Sequence, residues 1–581
     1  MTRRTHLLRL IIAAIFAGLL LRLAQLQLVQ GGDLRRASEE NRIRVVARRA
    51  PRGVMYDCRG RVLASNRPSF SATLIPSRLP GDDAPAVLRR LSRVLDIPVA
   101  DLTTTYRNGK GQGSVVLKQD LSPDAVAQLE EQALHLPGLL LTTNPVRFYP
   151  SGSLAAHALG YVREVTREDL ARLSSASTDH AGAYRAGDSI GKEGIERMCE
   201  RYLRGRDGGE QIEVDATGRV VRVLGTVNPT PGRNIRLTID RPVQAAAERG
   251  LAGHAGAVVA LDPATGAIRA LASSPSFDPN IFARPLTPAQ WARLNSPGRP
   301  QNNRALTGRY EPGSTFKIIT AIAALEKGVV TPHSPFYCPG YLRLGGWTFR
   351  CWTTHRALDF IDGIAQSCNY MFMTLGRRVG PDTLAATARR FGLGASTGVD
   401  LPRESRGLVP TPAWKREKRR QPWFPGDTCQ MAMGQGDLLV TPLQVARMVA
   451  AVANGGELVT PHLIAHIDGL PPAEQPRHPV RSLPVEDEVL AVVREGMAAV
   501  VSRGTARSIY SSKLPIAGKT GTAQNPHGSP HAWFAGFAPA NNPQLVVVVL
   551  MEQGGHGGAV SAPIAKRVFE AALLPPASPA R

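Results

Sequence analysis

Apolar positions run unbroken in one place near the start of the chain. Leu7 to Val29 is a mostly apolar stretch of 23 residues, about 34 Å long as an α-helix and enough to cross a bilayer. Its uninterrupted core, Leu10 to Leu21, lies between Arg9 and Arg22. A cleaved signal peptide shares the basic start and apolar core, but no Ala-x-Ala site follows, only Arg22-Leu-Ala-Gln-Leu-Gln27. The pattern therefore predicts a single uncleaved signal anchor. Arg35 to Arg52 is polar and arginine-rich, and from Gly53 to about Thr238 the pattern breaks into short alternating runs (Arg61-Val-Leu-Ala, Ser71-Ala-Thr-Leu-Ile) and helical patches (Ala86 to Leu95, Asp124 to Leu134). That alternation reads as a mixed, elongated module. After the turn-rich Val227-Asn-Pro-Thr-Pro-Gly-Arg-Asn234 a denser α/β domain begins. In it Gly256 to Asp262 and Gly266 to Ala272 flank a Pro-Ala-Thr turn and predict an antiparallel hairpin. Gln544 to Met551 reads as a strand covered on both faces, and Pro575 to Arg581 as a frayed tail.

Composition removes several classes. With 43% apolar and 20% charged residues among 581, neither wholesale disorder nor a polytopic membrane protein fits. The formal net charge of +23 would suit an anionic partner, nucleic acid included. But residues 1–52 alone hold 11 Arg against three acids, a net +8 beside the anchor, where an anionic bilayer explains it. No nucleic-acid partner is required.

The candidate chemistry lies in three short motifs of the last domain. Pro312-Gly-Ser-Thr-Phe-Lys317 opens a helical run, Phe316 to Glu326, that Gly328 closes. Residues three apart share a helix face, so the spacing predicts the Lys317 amine beside the Ser314 hydroxyl at the positive helix end. A serine needs an adjacent base, which a lysine supplies once burial or a second cation holds it neutral. Ser189-Ile-Gly-Lys192 fits the same pattern, but its glycine interrupts a helix and no partner motifs follow it. Ser367-Cys-Asn369 offers a proton-relaying hydroxyl and an amide, and Lys519-Thr-Gly-Thr522 reads as a strand. On that strand Lys519 and Gly521 point one way and Thr520 and Thr522 the other. Glycine there suits close approach of a substrate backbone, and Lys519 is the second cation that would depress the Lys317 pKa. Two further features read as bland: Lys415-Arg-Glu-Lys-Arg-Arg420 as a solvated loop, and His531 as a core or surface residue.

The three motifs in this order are those of penicillin-binding proteins and serine β-lactamases. Longer stretches extend the likeness: Ala37-Ser-Glu-Glu-Asn-Arg-Ile-Arg44, Pro51-Arg-Gly-Val-Met-Tyr-Asp57, Gly191-Lys-Glu-Gly-Ile-Glu196, Tyr310 to Lys317, Pro425-Gly-Asp-Thr428, Gly434-Gln-Gly436, Thr441-Pro-Leu-Gln444 and Gly518 to Gln524. The sequence resembles the class B penicillin-binding proteins, most closely the elongation-type penicillin-binding protein 2 group. The resemblance implies an α/β (α+β) transpeptidase domain with an antiparallel central sheet flanked by helices, preceded by one transmembrane helix and an elongated α/β pedestal. The expected boundaries are 1–30 for the cytoplasmic tip and anchor, 31–240 for the pedestal, 241–574 for the transpeptidase domain and 575–581 for the tail. It also implies an inner (cytoplasmic) membrane location, with the catalytic domain on the cell-wall side.

The implied reaction is D,D-transpeptidation of peptidoglycan stem peptides, with Ser314 as nucleophile and Lys317 as base. Ser367 and Lys519 would pass the proton to the leaving amine. Backbone N–H groups of Ser314 and Thr522 would form an oxyanion hole. Thr520, Thr522 and Lys519, on the strand with Gly521, would hold the substrate carboxylate, Asn369 a peptide amide, and β-lactams would trap the acyl-enzyme. No cofactor is required. Implied partners are a RodA-like SEDS glycan polymerase and the scaffold proteins of the elongation complex. Asn369 departs from the acidic residue many elongation-type relatives carry there, so a division-type enzyme is the alternative. A β-lactam-binding hydrolase or sensor would share the motifs but needs no such pedestal.

Six cysteines, Cys58, Cys199, Cys338, Cys351, Cys368 and Cys429, first suggest disulfides outside the cytoplasm. Cys338, Cys351, His355 and Cys368 crowd around the second motif, and three thiolates with one imidazole suit a structural zinc site. The resemblance adds that some relatives bind zinc there through a ligand set ending in His and Cys, which His355 and Cys368 match. A Cys338–Cys351 disulfide is the other reading.

Overall fold

The computed structural model describes residues 2–30, 43–79, 82–109, 115–175, 184, 187–214, 220–525 and 528–575. Arg35, Arg36 and Arg42 of the polar stretch, and the tail after Pro575, lie outside them. The chain divides into two compact units. One comprises Met1–Arg52, Asn66–Val146 and Arg204–Gly232; the other comprises Gly53–Ser65, Arg147–Leu203 and Arg233–Arg581.

The first unit begins with helix α1 (Thr2–Ala24), continued by a π-helical turn, Gln25–Val29. Its apolar span His6–Leu28 is 23 residues long with none of the residues in its most apolar window buried, long and apolar enough to cross a membrane. Strand β1 (Ile43–Arg48) follows. Helix α2 (Ala84–Leu95) buries Val87, Leu88, Leu91 and Leu95, the one-sided spacing of an amphipathic helix. It stops at Asp96, whose φ of 52° is left-handed. Helix α3 (Pro123–Glu131) starts where the Ser122 side chain accepts from the Ala125 N–H, a standard N-cap. It is shorter than the patch to Leu134 suggested, because the chain tightens into a 3-10 turn at Ala133–His135. Strands β2 (Gly208–Val214) and β3 (Val220–Val227) complete an antiparallel sheet of order β1-β2-β3.

The second unit carries the motifs. Helix α4 (Arg241–Leu251) leads into β4 (Gly256–Leu261) and β5 (Ile268–Ser274), the expected hairpin. At its turn the Asp262 carboxylate accepts from the N–H groups of Ala264 and Thr265, closing an Asx turn. Helix α5 (Lys317–Glu326) is followed by four short strands, β6 (Phe336–Cys338), β7 (Tyr341–Leu344), β8 (Trp347–Arg350) and β9 (Arg356–Leu358). Helices α6 (Phe360–Ala365), α7 (Asn369–Val379), α8 (Pro412–Arg419), α9 (Pro425–Ala432), α10 (Pro442–Ala453) and α11 (Asp487–Ser502) come next. The chain returns to the sheet as β10 (Ala517–Ala523), β11 (His531–Ala538) and β12 (Leu545–Met551), then ends in α12 (Ser561–Leu573).

The central sheet has order β5-β4-β12-β11-β10, antiparallel throughout. Every residue of β12 is buried, because α4 and α12 pack on the sheet together while α10 packs on it separately. That two-sided cover explains a strand with no polar alternation. The strand carrying the Lys-Thr-Gly motif, β10, is the sheet's edge, where backbone groups remain open to a further strand.

One buried histidine makes this unit pH-sensitive. The His157 Nε2–H donates to the Pro300 carbonyl at 2.7 Å, and burial, aided by Arg304, pushes its pKa down to about 4. Its folded pKa lies below the ordinary value, so the stabilising contribution is whole above about pH 6.5 and is lost as pH falls toward 4. The shift corresponds to about 3 kcal/mol. Thermal melts are expected to fall between pH 7 and pH 5, and less so in His157→Gln.

Candidate active site

The Ser314 turn is fixed by contact with the edge strand. Gly313–Phe316 form a 3-10 turn that runs directly into α5. Gly313 has a φ of 54°, and a Cβ there would sit 2.9 Å from the Thr522 carbonyl oxygen. Gly521 answers it from β10: its Cβ would meet Pro312 O and Thr315 Cγ2, each at 3.1 Å. Both glycines let the nucleophile's turn and the Lys-Thr-Gly strand approach more closely than side chains allow. The turn is also held by the Gly313 N–H donating to Gly434 O at 2.9 Å, and by the Trp533 indole donating to Glu311 O at 3.0 Å.

Lys317 reaches across to the second motif. Its Nζ donates to Ser367 O at 2.8 Å, Ser367 Oγ at 3.1 Å and Asn369 Oδ1 at 2.7 Å, and it lies 5.3 Å from the centre of the Phe372 ring. The spacing predicted the amine beside Ser314; its hydrogen bonds go instead to Ser367 and Asn369. Burial pushes the Lys317 pKa down to about 8, against an opposing pull from Cys368 and Cys351. The fully buried Lys519 is pushed well below the ordinary range, by burial first and by Lys317 second. Burial, rather than Lys519, is thus the main cause at Lys317, and the repulsion falls on Lys519. Lys519 has one acceptor, Thr520 O at 3.2 Å, against three for Lys317.

Ser367 is held in a left-handed conformation, φ 55°, at the short junction between α6 and α7. Such strain in a non-glycine residue persists only where its surroundings impose it, commonly at functional sites. Cys368 caps α7, its Sγ accepting from the Met371 N–H at 3.5 Å. On the opposite wall Thr520 Oγ1 pairs with Thr505 Oγ1 at 2.6 Å. Sequence reasoning missed Thr505, which lies in a loop with no motif, and Phe372, whose role depends on the turn of α7.

The thiols gather as well. Ligand atoms of Cys338, Cys351, His355 and Cys368 all lie within 4.8 Å of one another. Cys351 Sγ is 3.6 Å from His355 Nδ1, near the roughly 3.8 Å between sulfurs that tetrahedral Zn–S bonds of about 2.3 Å impose. His355 Nε2 is buried without a hydrogen-bond partner, an uncompensated polar atom that a metal would satisfy directly or through the ring's orientation. The Cys368 thiol holds Cys351 down at about 4, while Cys368 itself is pushed up by Cys351 and burial. All six cysteines are free thiols, and the donor set fits zinc.

The remaining candidates are engaged by other partners. Ser189 lies on a strand, Ser189–Gly191, and Lys192 pairs with Asp169. The basic run at Lys415 is largely helix α8 rather than a loop, since Thr411 caps it and Pro412 opens it; Lys415 bonds Asp427 at 2.5 Å. His531 is half-buried, edge-on to Tyr310 at 5.6 Å.

Comparison with known proteins agrees with this geometry. The family described as "Penicillin binding protein transpeptidase domain" matches residues 256–570, and "Penicillin-binding Protein dimerisation domain" matches 47–237. The peptidoglycan D,D-transpeptidase MrdA of Acinetobacter baumannii is 36% identical, covering 95% of this chain and 85% of its own. A solved complex between PBP2 and MreC from Helicobacter pylori aligns with a TM-score of 0.79 at 27% identity, over 91% of this chain and 98% of the other. A structure described as "Structural coordination of polymerization and crosslinking by a peptidoglycan synthase complex" aligns with a TM-score of 0.74 at 33% identity over all of both chains. Taken with the three converging motifs, these matches establish that the chain belongs to the class B penicillin-binding proteins of the PBP2 type.

Proposed function

We propose that this chain is a penicillin-sensitive peptidoglycan D,D-transpeptidase of cell-wall elongation. The observation that carries the reading is the convergence of Lys317 Nζ on Ser367 and Asn369 beneath a serine turn pinned to the Lys-Thr-Gly edge strand. Neutral Lys317 takes the Ser314 proton as Oγ attacks the penultimate D-Ala carbonyl. The N–H groups of Ser314 and Thr522 receive the oxyanion, where one donor is worth about 3 to 4 kcal/mol of barrier. The C–N bond then breaks, and Ser367 with Lys519 returns the proton to the departing D-Ala amine. Thr520, Thr522 and Lys519 hold the terminal carboxylate; Gly521 leaves room for the substrate backbone to pair with β10. An amine of a second stem peptide attacks the ester, forms the cross-link and frees Ser314. Asn369 turns its oxygen to Lys317, which leaves its amide N–H for the substrate, and an uncharged partner there favours the neutral base more than a carboxylate would.

The domain boundaries expected above assign this chemistry to 241–574 and a docking pedestal to 31–240. The α1 anchor supports an inner-membrane protein with its catalytic domain on the cell-wall side. The alignments with an MreC complex and a peptidoglycan synthase complex support an elongation scaffold and a RodA-like SEDS polymerase as partners. Incubation with a synthetic D-Ala–D-Ala stem peptide and an amine acceptor tests the reaction: cross-linked dimer with release of D-Ala is expected, and failure of both sinks it.

Acyl transfer needs no cofactor, but Cys338, Cys351, His355 and Cys368 are proposed to hold a structural zinc. It would cross-link the loop bearing β7 and β8 to the Ser-Cys-Asn motif and takes no part in bond making. Purified protein is expected to carry about one zinc per chain, with Cys351→Ser losing most of it and melting several degrees lower. Metal-free protein containing a Cys338–Cys351 disulfide peptide would refute the assignment.

A further inference from the structure

Lys317 is one tie to the Ser-Cys-Asn motif; the loop after α11, residues 503–505, makes another. The Gln366 side-chain amide donates to Arg503 O at 3.1 Å, and the Thr505 N–H donates to Ala365 O at 3.2 Å. Arg503 also pairs with Asp362 at 3.1 Å. Gly504 lies flush against the same turn: a Cβ there would sit 2.2 Å from Ala365 O, so a side chain would push the loop off α6. Helix α6 ends at Ala365, two residues before Ser367, which registers Thr505 against the Ser-Cys-Asn motif. From that position its Oγ1 meets Thr520 Oγ1 on β10 at 2.6 Å. Among the described residues neither hydroxyl has another hydrogen-bond partner. Thr520 is only 7% exposed, so little water competes for its hydroxyl.

A hydroxyl has one proton to give. Two hydroxyls that share a single hydrogen bond therefore have a direction: one donates, and the other keeps its proton for a third group. An ionised carboxylate only accepts, so Thr520 holds one through its proton, and that proton is free only while Thr505 is the donor of the pair. We propose that Thr505 is a positioning residue for the substrate carboxylate: it donates to Thr520 Oγ1 and so keeps the Thr520 O–H for the incoming anion. Thr505, Thr520 and the carboxylate then form a chain of hydrogen bonds running one way, in which each bond polarises the next. This role rests on the acyl-transfer reading and deepens it at the carboxylate end. It also makes the acid group a specificity determinant. A carboxamide both donates and accepts, so it fits either direction of the threonine pair, whereas a carboxylate fits one. Because the Thr505 backbone is bonded to the end of α6, the carboxylate is placed against the Ser-Cys-Asn motif as well as along β10.

The test uses the full-length protein, a penicillin, and the same penicillin with its carboxylate converted to the carboxamide. Acylation is followed in single turnover, which separates affinity before acylation from the rate of bond making. Thr505→Val removes the donor. It should weaken affinity for the acid about tenfold, with the rate of bond making within about twofold of the parent and the carboxamide changed by about threefold at most. The acid-to-carboxamide ratio is internal to each variant, so a loss of folded protein cancels from it, and Thr505→Ala should lower it as well. Thr505→Ser keeps the donor and should restore it. In a Thr520→Val background, Thr505→Val should cost nothing further. Equal losses for the two β-lactams would overturn the role, since the loop would then serve only as scaffold. So would an undiminished ratio in Thr505→Val, a Thr505→Ser protein as impaired as Thr505→Val, or a full further loss in the Thr520→Val background. A parent protein that the acid does not acylate refutes the acyl-transfer reading itself; one that is acylated without distinguishing acid from carboxamide refutes the Thr505 role alone.

Discussion

Replacing Ser314 by alanine is expected to abolish covalent labelling by a tagged penicillin while leaving the protein folded. In the proposed reaction Ser314 Oγ is the atom that becomes the ester, so its loss removes the intermediate rather than slowing it, and labelling should drop by at least about 10⁴-fold. The fold should not register the change. Ser314 Oγ makes no hydrogen bond among the described residues, and the turn is held by Gly313, Trp533 and the packing of Gly521. A melting curve unchanged within about 0.5 kcal/mol of stability is expected. Ser367 shares the cleft, with a left-handed backbone and a hydroxyl bonded by Lys317, and is proposed to relay a proton rather than to attack. A Ser314→Ala protein that still acquired the label, on Ser367 or elsewhere, would overturn the assignment of the nucleophile.

Lys317→Met tests the residue proposed as base separately from the scaffold. General-base help is worth about 10² to 10⁴ in rate, and acylation should fall by that factor with penicillin affinity before acylation little changed. The pH profile gives the sharper readout. The base works only when neutral, so with its pKa lowered to about 8 by burial, acylation by the parent protein should climb as pH rises toward 8 and then level off. The Met variant should be slow and flat over the same range. A variant that kept the climb would move the role of base to another group. Stability is a separate matter: removing a buried cation relieves a desolvation cost but strands Ser367 O and Asn369 Oδ1 without their donor, so the melting temperature should move little.

The parts of this site that were readable in the sequence are those set by local geometry. Lys519 and Gly521 fall on one side of a strand because strands alternate, and the Gly256–Asp262 hairpin followed from turn chemistry. Helix α2 came from its apolar spacing. What stayed hidden depends on distant partners. Nothing near Lys317 announces that its amine turns to Asn369, some 50 positions on, or that Thr505 steadies Thr520. The basic run after Lys415 looked like a loop from its charge alone, although Thr411 and Pro412 were helix-start signals in plain view. The grouping of 147–203 with the catalytic unit is a property of long-range packing, which periodicity does not encode.

Cys368 has a consequence for how such an enzyme can evolve under drug pressure. It stands between Ser367 and Asn369, caps α7 and is one of the four clustered donors. A substitution there that reshaped the drug contact would loosen the cap and the cluster at once, so selection has little freedom in the middle of that motif. Changes that spare the chemistry must arise where side chains carry a single duty, and the exposed rim of the β7–β8 hairpin offers more of those positions than the cleft does.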